Sequence, residues 1–291
     1  MFGDEMIYEK YNIEHIPVEK FSLNPKSFHK VDFKGKKMNS YIDGPENGPK
    51  LFFIHGFNFF VEMYSTLINE LILTCRVLSV DLPGHGHTDA FEDYSVNTFQ
   101  EAIMTTLDHY DFKDFTLVGH SMGGQLSIMC TGDSRFSKYN ISRTVAFCPS
   151  GIKVNISFGQ WCLRSGLGRI MERFAFPDNL SQAFPLFPSE IKKSLFDVHF
   201  NVIKQNKQKY LTRQTKMCRT FPWEGAKNEF QMAENERVKV VFATNDVCVN
   251  TQFCYQQIKG NSKWNVKVEK GLHELPIIRP VWAAQLIRDF E

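Results

Sequence analysis

Between residues 38 and 147 the chain alternates short apolar runs, rich in β-branched and aromatic side chains, with longer stretches of helical periodicity. Apolar runs without polar alternation suit strands buried on both faces, and helices between successive strands suit parallel pairing. The pattern predicts strands near Asn39–Ile42, Leu51–Ile54, Arg76–Val80, Phe115–Val118 and Ser142–Phe147, separated by helices near Glu62–Leu73, Asn97–Tyr110 and Met122–Cys130. A turn cluster, Asp43 to Pro49, divides the first two strands. After Gly151 the alternation stops. As far as about Phe230 the strand-like runs disappear, and Gly166, Gly168, Pro177, Pro185 and Pro188 space several helical segments. Alternation resumes with a strand at Val238–Ala243, a helix near Thr251–Ile258, a strand at Asn265–Glu269 and a last helix from about Pro280 to Phe290. The expected fold class is α/β, a mostly parallel central sheet flanked by helices. Residues 1–34 form an N-terminal extension with a first strand, 35–151 and 231–291 the core, and 152–230 an inserted helical cap.

Composition adds exclusions. With 291 residues, 43% of them apolar and 23% charged, the chain resembles an ordinary globular protein able to bury about 75% of its unfolded surface. A net charge of +2 gives no overall excess for nucleic acid, and no nucleic-acid module is recognisable. The first 30 residues carry Asp4, Glu5, Glu9, Lys10, Glu14, Glu19 and Lys20, and no later stretch approaches about 18 consecutive apolar residues. Neither a signal peptide nor a membrane span is therefore expected. The seven cysteines are odd in number and scattered, with no C-x-x-C pair and no metal-ligand cluster with histidine. They are expected to be small buried packing residues in a reducing compartment, the cytoplasm.

The first candidate chemistry is Gly119-His120-Ser121-Met122-Gly123, a G-x-S-x-G pattern between a predicted strand and a predicted helix. A serine in such a turn adopts a strained backbone conformation, and small residues two positions to either side leave room where strand and helix crowd. Gly119 and Gly123 fill those positions, and Gly124 adds clearance. The helix N-terminus aims N–H dipoles at the place where negative charge develops during attack on a carbonyl. Two backbone N–H groups are needed there, one following the nucleophile and one from a loop after an early strand. Met122 and Phe57, the latter in Phe53-Ile54-His55-Gly56-Phe57, occupy those places. His55 reads as loop scaffolding.

Three motifs, His55-Gly56-Phe57, Asp81-Leu82-Pro83-Gly84-His85-Gly86-His87-Thr88 and Gly119-His120-Ser121-Met122-Gly123-Gly124, resemble in order and separation those of the α/β-hydrolase family. The resemblance spans about residues 35–291, with the helical insertion where that family carries its cap, and it gives Asp81–Thr88 an architectural role. It also implies the chain order nucleophile, acid, histidine, with the last two on loops after late strands. Of the histidines after Ser121, His199 falls in the cap and His273 follows the last predicted strand, so His273 is the expected base. Asp246, in the loop after Val238–Ala243, is the expected acid; the loop after the preceding strand, Cys148-Pro149-Ser150-Gly151, contains no carboxylate. The family's histidine often follows glycine directly, whereas here Leu272 separates Gly271 from His273. The pair His273-Glu274 is similar to the variant in monoacylglycerol lipases and lysophospholipases.

Cap aromatics (Phe158, Trp161, Phe174, Phe176, Phe184, Phe187, Phe196 and Phe200) suit either an apolar cleft for an acyl chain or the cap's own core. Eight basic residues between Glu190 and Arg219 suit either an anionic lipid surface, as a peripheral membrane contact, or a solvated helix face. The expected function is hydrolysis of a small-molecule carboxylic ester, lipid-like in class, with no metal and no cofactor. Thioester, amide or carbon–carbon bond hydrolysis, and a non-catalytic binding scaffold, stay open. Oligomeric state is not legible.

Overall fold

The computed structural model describes residues 2–155, 187–205, 207–234 and 236–290. Its strands are β1 (Phe28–Phe33), β2 (Lys36–Asp43), β3 (Lys50–Ile54), β4 (Arg76–Val80), β5 (Phe115–His120), β6 (Ile141–Phe147), β7 (Val238–Asn245) and β8 (Trp264–Leu272). They build one sheet in the order β1-β2-β4-β3-β5-β6-β7-β8. The β1–β2 and β2–β4 pairs are antiparallel and the rest parallel. Each strand expected from the apolar pattern is present, and the α/β class holds. β1 was foreseen only as an unplaced strand within the extension, because its alternation is short and half-exposed.

The helices are α1 (Phe2–Tyr11), α2 (Ser65–Leu71), α3 (Val96–His109), α4 (Met122–Gly132), α5 (Ser189–Gln205), α6 (Lys207–Thr220), α7 (Lys227–Gln231), α8 (Thr251–Ile258), α9 (Leu275–Ile278) and α10 (Pro280–Arg288). The helix expected at Glu62–Leu73 is instead a 3₁₀ turn over Val61–Tyr64 followed by α2. α1 has almost no amphipathic pattern and gave no sequence signal.

Side-chain alternation divides the core between the two faces of the sheet. Phe53, Val77, Val118, Val145 and Val241 pack with Leu67, Ile68 and Leu71 of α2 and Ala283, Ala284 and Ile287 of α10. Their strand neighbours Phe52, Ile54, Leu78, Val80 and Leu117 pack on the other face with Phe99, Ile103 and Leu107 of α3 and Leu126 of α4. Each of the valine, leucine, isoleucine and phenylalanine side chains among them contributes about 1.5–3 kcal/mol by leaving water. The parallel register sets Ile54 beside Gly119, His120 beside Phe147, Phe147 beside Val241 and Asn245 beside Leu272. The loops after β3, β5, β6, β7 and β8 therefore open along one edge of the sheet.

The expected cap, 152–230, lies partly outside the described residues. Of its aromatics, Phe158, Trp161, Phe174, Phe176 and Phe184 fall there, whereas Phe187 is buried in the core cluster. The described helix α6 docks by polar contacts. Lys209 Nζ donates to Gly86 O at 3.0 Å and Thr88 O at 2.8 Å. Arg213 donates to Gly84 O at 3.2 Å and Asn58 Oδ1 at 2.6 Å. Arg213 is wholly buried and stacks over Tyr210. These two cations thus face the core, which removes them from the basic row that suited either an anionic lipid surface or a solvated helix face. No helix among the described residues is long and apolar enough to cross a membrane.

Candidate active site

β5 is buried along its whole length, and the chain reverses immediately after it into α4. Ser121 makes the reversal with φ 56° and ψ −117°, a conformation costly for a side chain bearing a Cβ. Neighbouring strands hold it there. Ser121 N donates to Phe147 O at 2.8 Å, and Ser121 O accepts from Gln125 N at 3.0 Å and Ser150 N at 3.2 Å. The flanking glycines are sterically required. A Cβ on Gly119 would lie 2.2 Å from Gly123 O, and one on Gly123 would lie 2.2 Å from Ile54 O.

The end of β3 lies against this turn, since a Cβ on Gly56 would sit 3.3 Å from Ser121 Cβ. His55 donates from Nδ1 to Gly56 O at 2.8 Å and accepts at Nε2 from Leu82 N at 2.9 Å. Burial, against the opposing charge of Asp81, pulls its pKa down to about 4, so His55 is a neutral brace between loops. Among the described residues, the amides of Phe57 and Met122 have no hydrogen-bond partner. Asp81 accepts from Val61 N, Asn39 Nδ2 and His87 N, a structural use that consumes its carboxylate.

Across the edge, His273 Nδ1 donates to Asp246 Oδ2 at 2.7 Å. The Asp246 side chain is 0% exposed and that of His273 6%. Asp246 Oδ1 accepts from Cys248 N at 2.8 Å and Val249 N at 2.7 Å, which fixes the carboxylate before the histidine arrives. Burial disfavours the His273 imidazolium, but the charge and hydrogen bond of Asp246, helped by Glu274, outweigh it and hold the pKa above the ordinary histidine value. The half-buried Glu274 carboxyl is itself pushed up, by burial first; His273 opposes the shift and Asp246 adds to it.

Tyr64 and His120, neither assigned a role from sequence, connect these parts. Gly56 N donates to Tyr64 Oη at 2.9 Å, Tyr64 Oη donates to His120 Nδ1 at 2.6 Å, and His120 Nε2 donates to His273 O at 2.9 Å. The direction is fixed because Gly56 N is only a donor and His273 O only an acceptor. Burial, with His273 nearby, holds His120 well below the usual histidine pKa, which keeps it neutral, as the chain requires. The His120 ring lies 4.8 Å from that of His273. Among the described residues Ser121 Oγ has no hydrogen-bond partner. The structure therefore joins His273 to Asp246 directly, and to the Ser121 turn through His120.

One cysteine expectation is corrected. Cys148 Sγ, an Asp246 carboxylate oxygen and a His273 ring nitrogen lie within 4.8 Å of one another. The grouping arises because β6, β7 and β8 are adjacent strands, a proximity that spacing along the chain does not encode. As expected, Cys75, Cys130, Cys148, Cys218 and Cys254 are buried; Cys248 is exposed.

A sheet of this order, with a left-handed serine between its central strand and the following helix, defines the α/β-hydrolase class. The chain belongs to the α/β hydrolase family, whose model matches residues 51–285. It is 33% identical over 106 residues to a dihydrolipoyllysine-residue acetyltransferase component of an acetoin cleaving system from Pseudomonas putida, over 35% of this chain and 28% of that protein. It is 26% identical over 155 residues to a putative esterase/lipase from Haemophilus influenzae, over 50% of this chain and 48% of that protein. Each match thus spans less than half of the relative. The carboxylesterase CesB from Bacillus subtilis superposes with a TM-score of 0.67 at 15% identity, covering 100% of this chain and 98% of that one, a likeness of fold.

Proposed function

We propose that the protein hydrolyses carboxylic esters through Ser121 as nucleophile, His273 as general base and Asp246 as the acid that orients His273. The observation carrying this reading is the buried 2.7 Å contact between His273 Nδ1 and Asp246 Oδ2, placed beside a serine turn in a conformation that little else explains. With Nδ1 donating to the carboxylate, Nε2 is the ring atom left to take the serine proton. Hydrogen bonds between nucleophile and base are often loose before substrate binds. As Ser121 Oγ attacks, the proton passes to His273 Nε2, and Asp246 stabilises the imidazolium that forms. Charge collects on the former carbonyl oxygen, where the unpartnered amides of Phe57 and Met122 donate to it. His273 then returns the proton to the leaving alcohol, and water, activated in the same way, releases the acid from Ser121.

A lipid-like ester suits the walls nearest the Phe57 amide. The half-buried ring of Phe57 meets that of Trp223 at 4.8 Å, and Phe59 stacks on His120 at 6.2 Å, so an acyl chain would leave water against aromatic surface. The family also supports thioester, amide and carbon–carbon bond cleavage, which the same serine and base serve. A fluorophosphonate probe tests the central claim. Labelling of the purified protein is expected, and Ser121→Ala is expected to abolish it; a folded wild type that takes no label would overturn the reading.

A further inference from the structure

Cys148 has no part in the reaction above, yet its thiol lies close to both the acid and the base. It directly follows β6 with φ 43°, and its amide donates to Val241 O at 2.7 Å. Its thiol, the Asp246 carboxylate and the His273 ring converge within 4.8 Å. Thiolate, imidazole and carboxylate form the donor set that zinc takes, and the sulfur selects a soft cation over magnesium or calcium. With a Zn–S bond of about 2.3 Å and Zn–N or Zn–O bonds near 2.1 Å, donors in a tetrahedral site lie roughly 3.3–3.6 Å apart. Closing the longest separation thus takes an inward shift of at most about 1.2 Å, and the His273–Asp246 pair opens from 2.7 Å by roughly 0.7 Å.

The surroundings favour a cation. Asp246 Oδ1 is already oriented by two amides, as an outer shell orients a metal ligand. The cover is thin, since Thr244, Asn245, Val247 and Cys248 are exposed, which gives an ion a short path.

We propose that Cys148, Asp246 and His273 form an inhibitory site for a thiophilic divalent cation of the zinc type. The inference rests on His273 acting as the base. On binding, the Cys148 thiol proton leaves to solvent and the single His273 proton moves from Nδ1 to Nε2 by way of solvent, so that Sγ, Nδ1 and an Asp246 oxygen donate to the ion, with water as fourth ligand. A neutral imidazole metallated at Nδ1 carries its one proton on Nε2. That is the atom that must accept from Ser121, so the ion disables the base without touching the nucleophile.

The full-length protein is titrated with zinc chloride during p-nitrophenyl ester hydrolysis, and separately with Co²⁺ while the near-ultraviolet thiolate-to-cobalt absorption is read. Zinc is expected to inhibit the wild type, and Cys148→Ala to retain turnover while needing at least about tenfold more zinc. The cobalt band is expected in the wild type and in Cys248→Ala, and to vanish in Cys148→Ala. If Cys148→Ala does not fold, Cys148→Ser serves, because a hydroxyl is a poor zinc ligand. Unchanged zinc sensitivity in the Cys148 variant, a band lost with Cys248 instead, or no band at all overturns the site. Hydrolysis without the band sinks this inference alone; the band without hydrolysis or fluorophosphonate labelling sinks the proposed function and leaves the metal cluster standing.

Discussion

His273 titrates between two opposed influences, burial against the imidazolium and Asp246 in its favour, and Asp246 prevails. A general base must be neutral, so kcat/KM is expected to rise with pH through a midpoint above the free histidine value of about 6.5. In Asp246→Asn burial acts almost alone. The midpoint should then fall, while kcat drops by roughly 10⁴-fold as the ring loses its orientation. A pH–rate profile of the two proteins checks both, and an acid limb that does not move on substitution speaks against the pair. Tyr64 offers a second test. Tyr64→Phe strands Gly56 N–H and His120 Nδ1 in a buried site, at about 1–3 kcal/mol each. Because that chain ends on His273 O, thermal stability and kcat are expected to fall together, with KM little changed. Neither Tyr64 nor His120 was legible as a positioning residue, since their partners lie far away along the chain.

At the level of elements, the β5–α4 junction depends on the absence of side chains. Gly123→Ala puts a methyl 2.2 Å from Ile54 O, and backbone cannot yield as a flexible side chain can. A loss of about 2–3 kcal/mol, a Tm drop of roughly 5–10 °C, is expected by calorimetry. Helix α6 presents the converse case of a buried charge held by neutral acceptors. Among the described residues no carboxylate pairs with Arg213, and its Nε lacks a partner. Arg213→Lys is not conservative here, because one ammonium cannot span Gly84 O and Asn58 Oδ1 as the fork does. It should lower Tm nearly as much as Arg213→Ala; full retention of stability would contradict the docking role. The apolar runs announced the strands because buried parallel strands need continuous hydrophobicity. They did not announce α1 or the inward turn of Lys209 and Arg213, since a lysine or arginine reads the same on either face of a helix.

For the whole molecule, a panel of p-nitrophenyl esters of increasing chain length is expected to show kcat/KM rising with acyl length; a preference for acetate would remove the lipid-like substrate while leaving the ester chemistry. The sequence by itself determined the α/β class, the strand list, the family and the candidates Ser121, Asp246 and His273. Strand hydrophobicity, glycine at crowded turns and chain order are local properties, each carried by neighbouring residues. Only the tertiary structure decided that His273 meets Asp246, that Tyr64 and His120 tie the β3 loop to the histidine, and that Cys148 joins them. Those contacts follow from the lateral order of the strands, in which residues far apart along the chain become neighbours at one edge of the sheet, and no spacing within the sequence records that order.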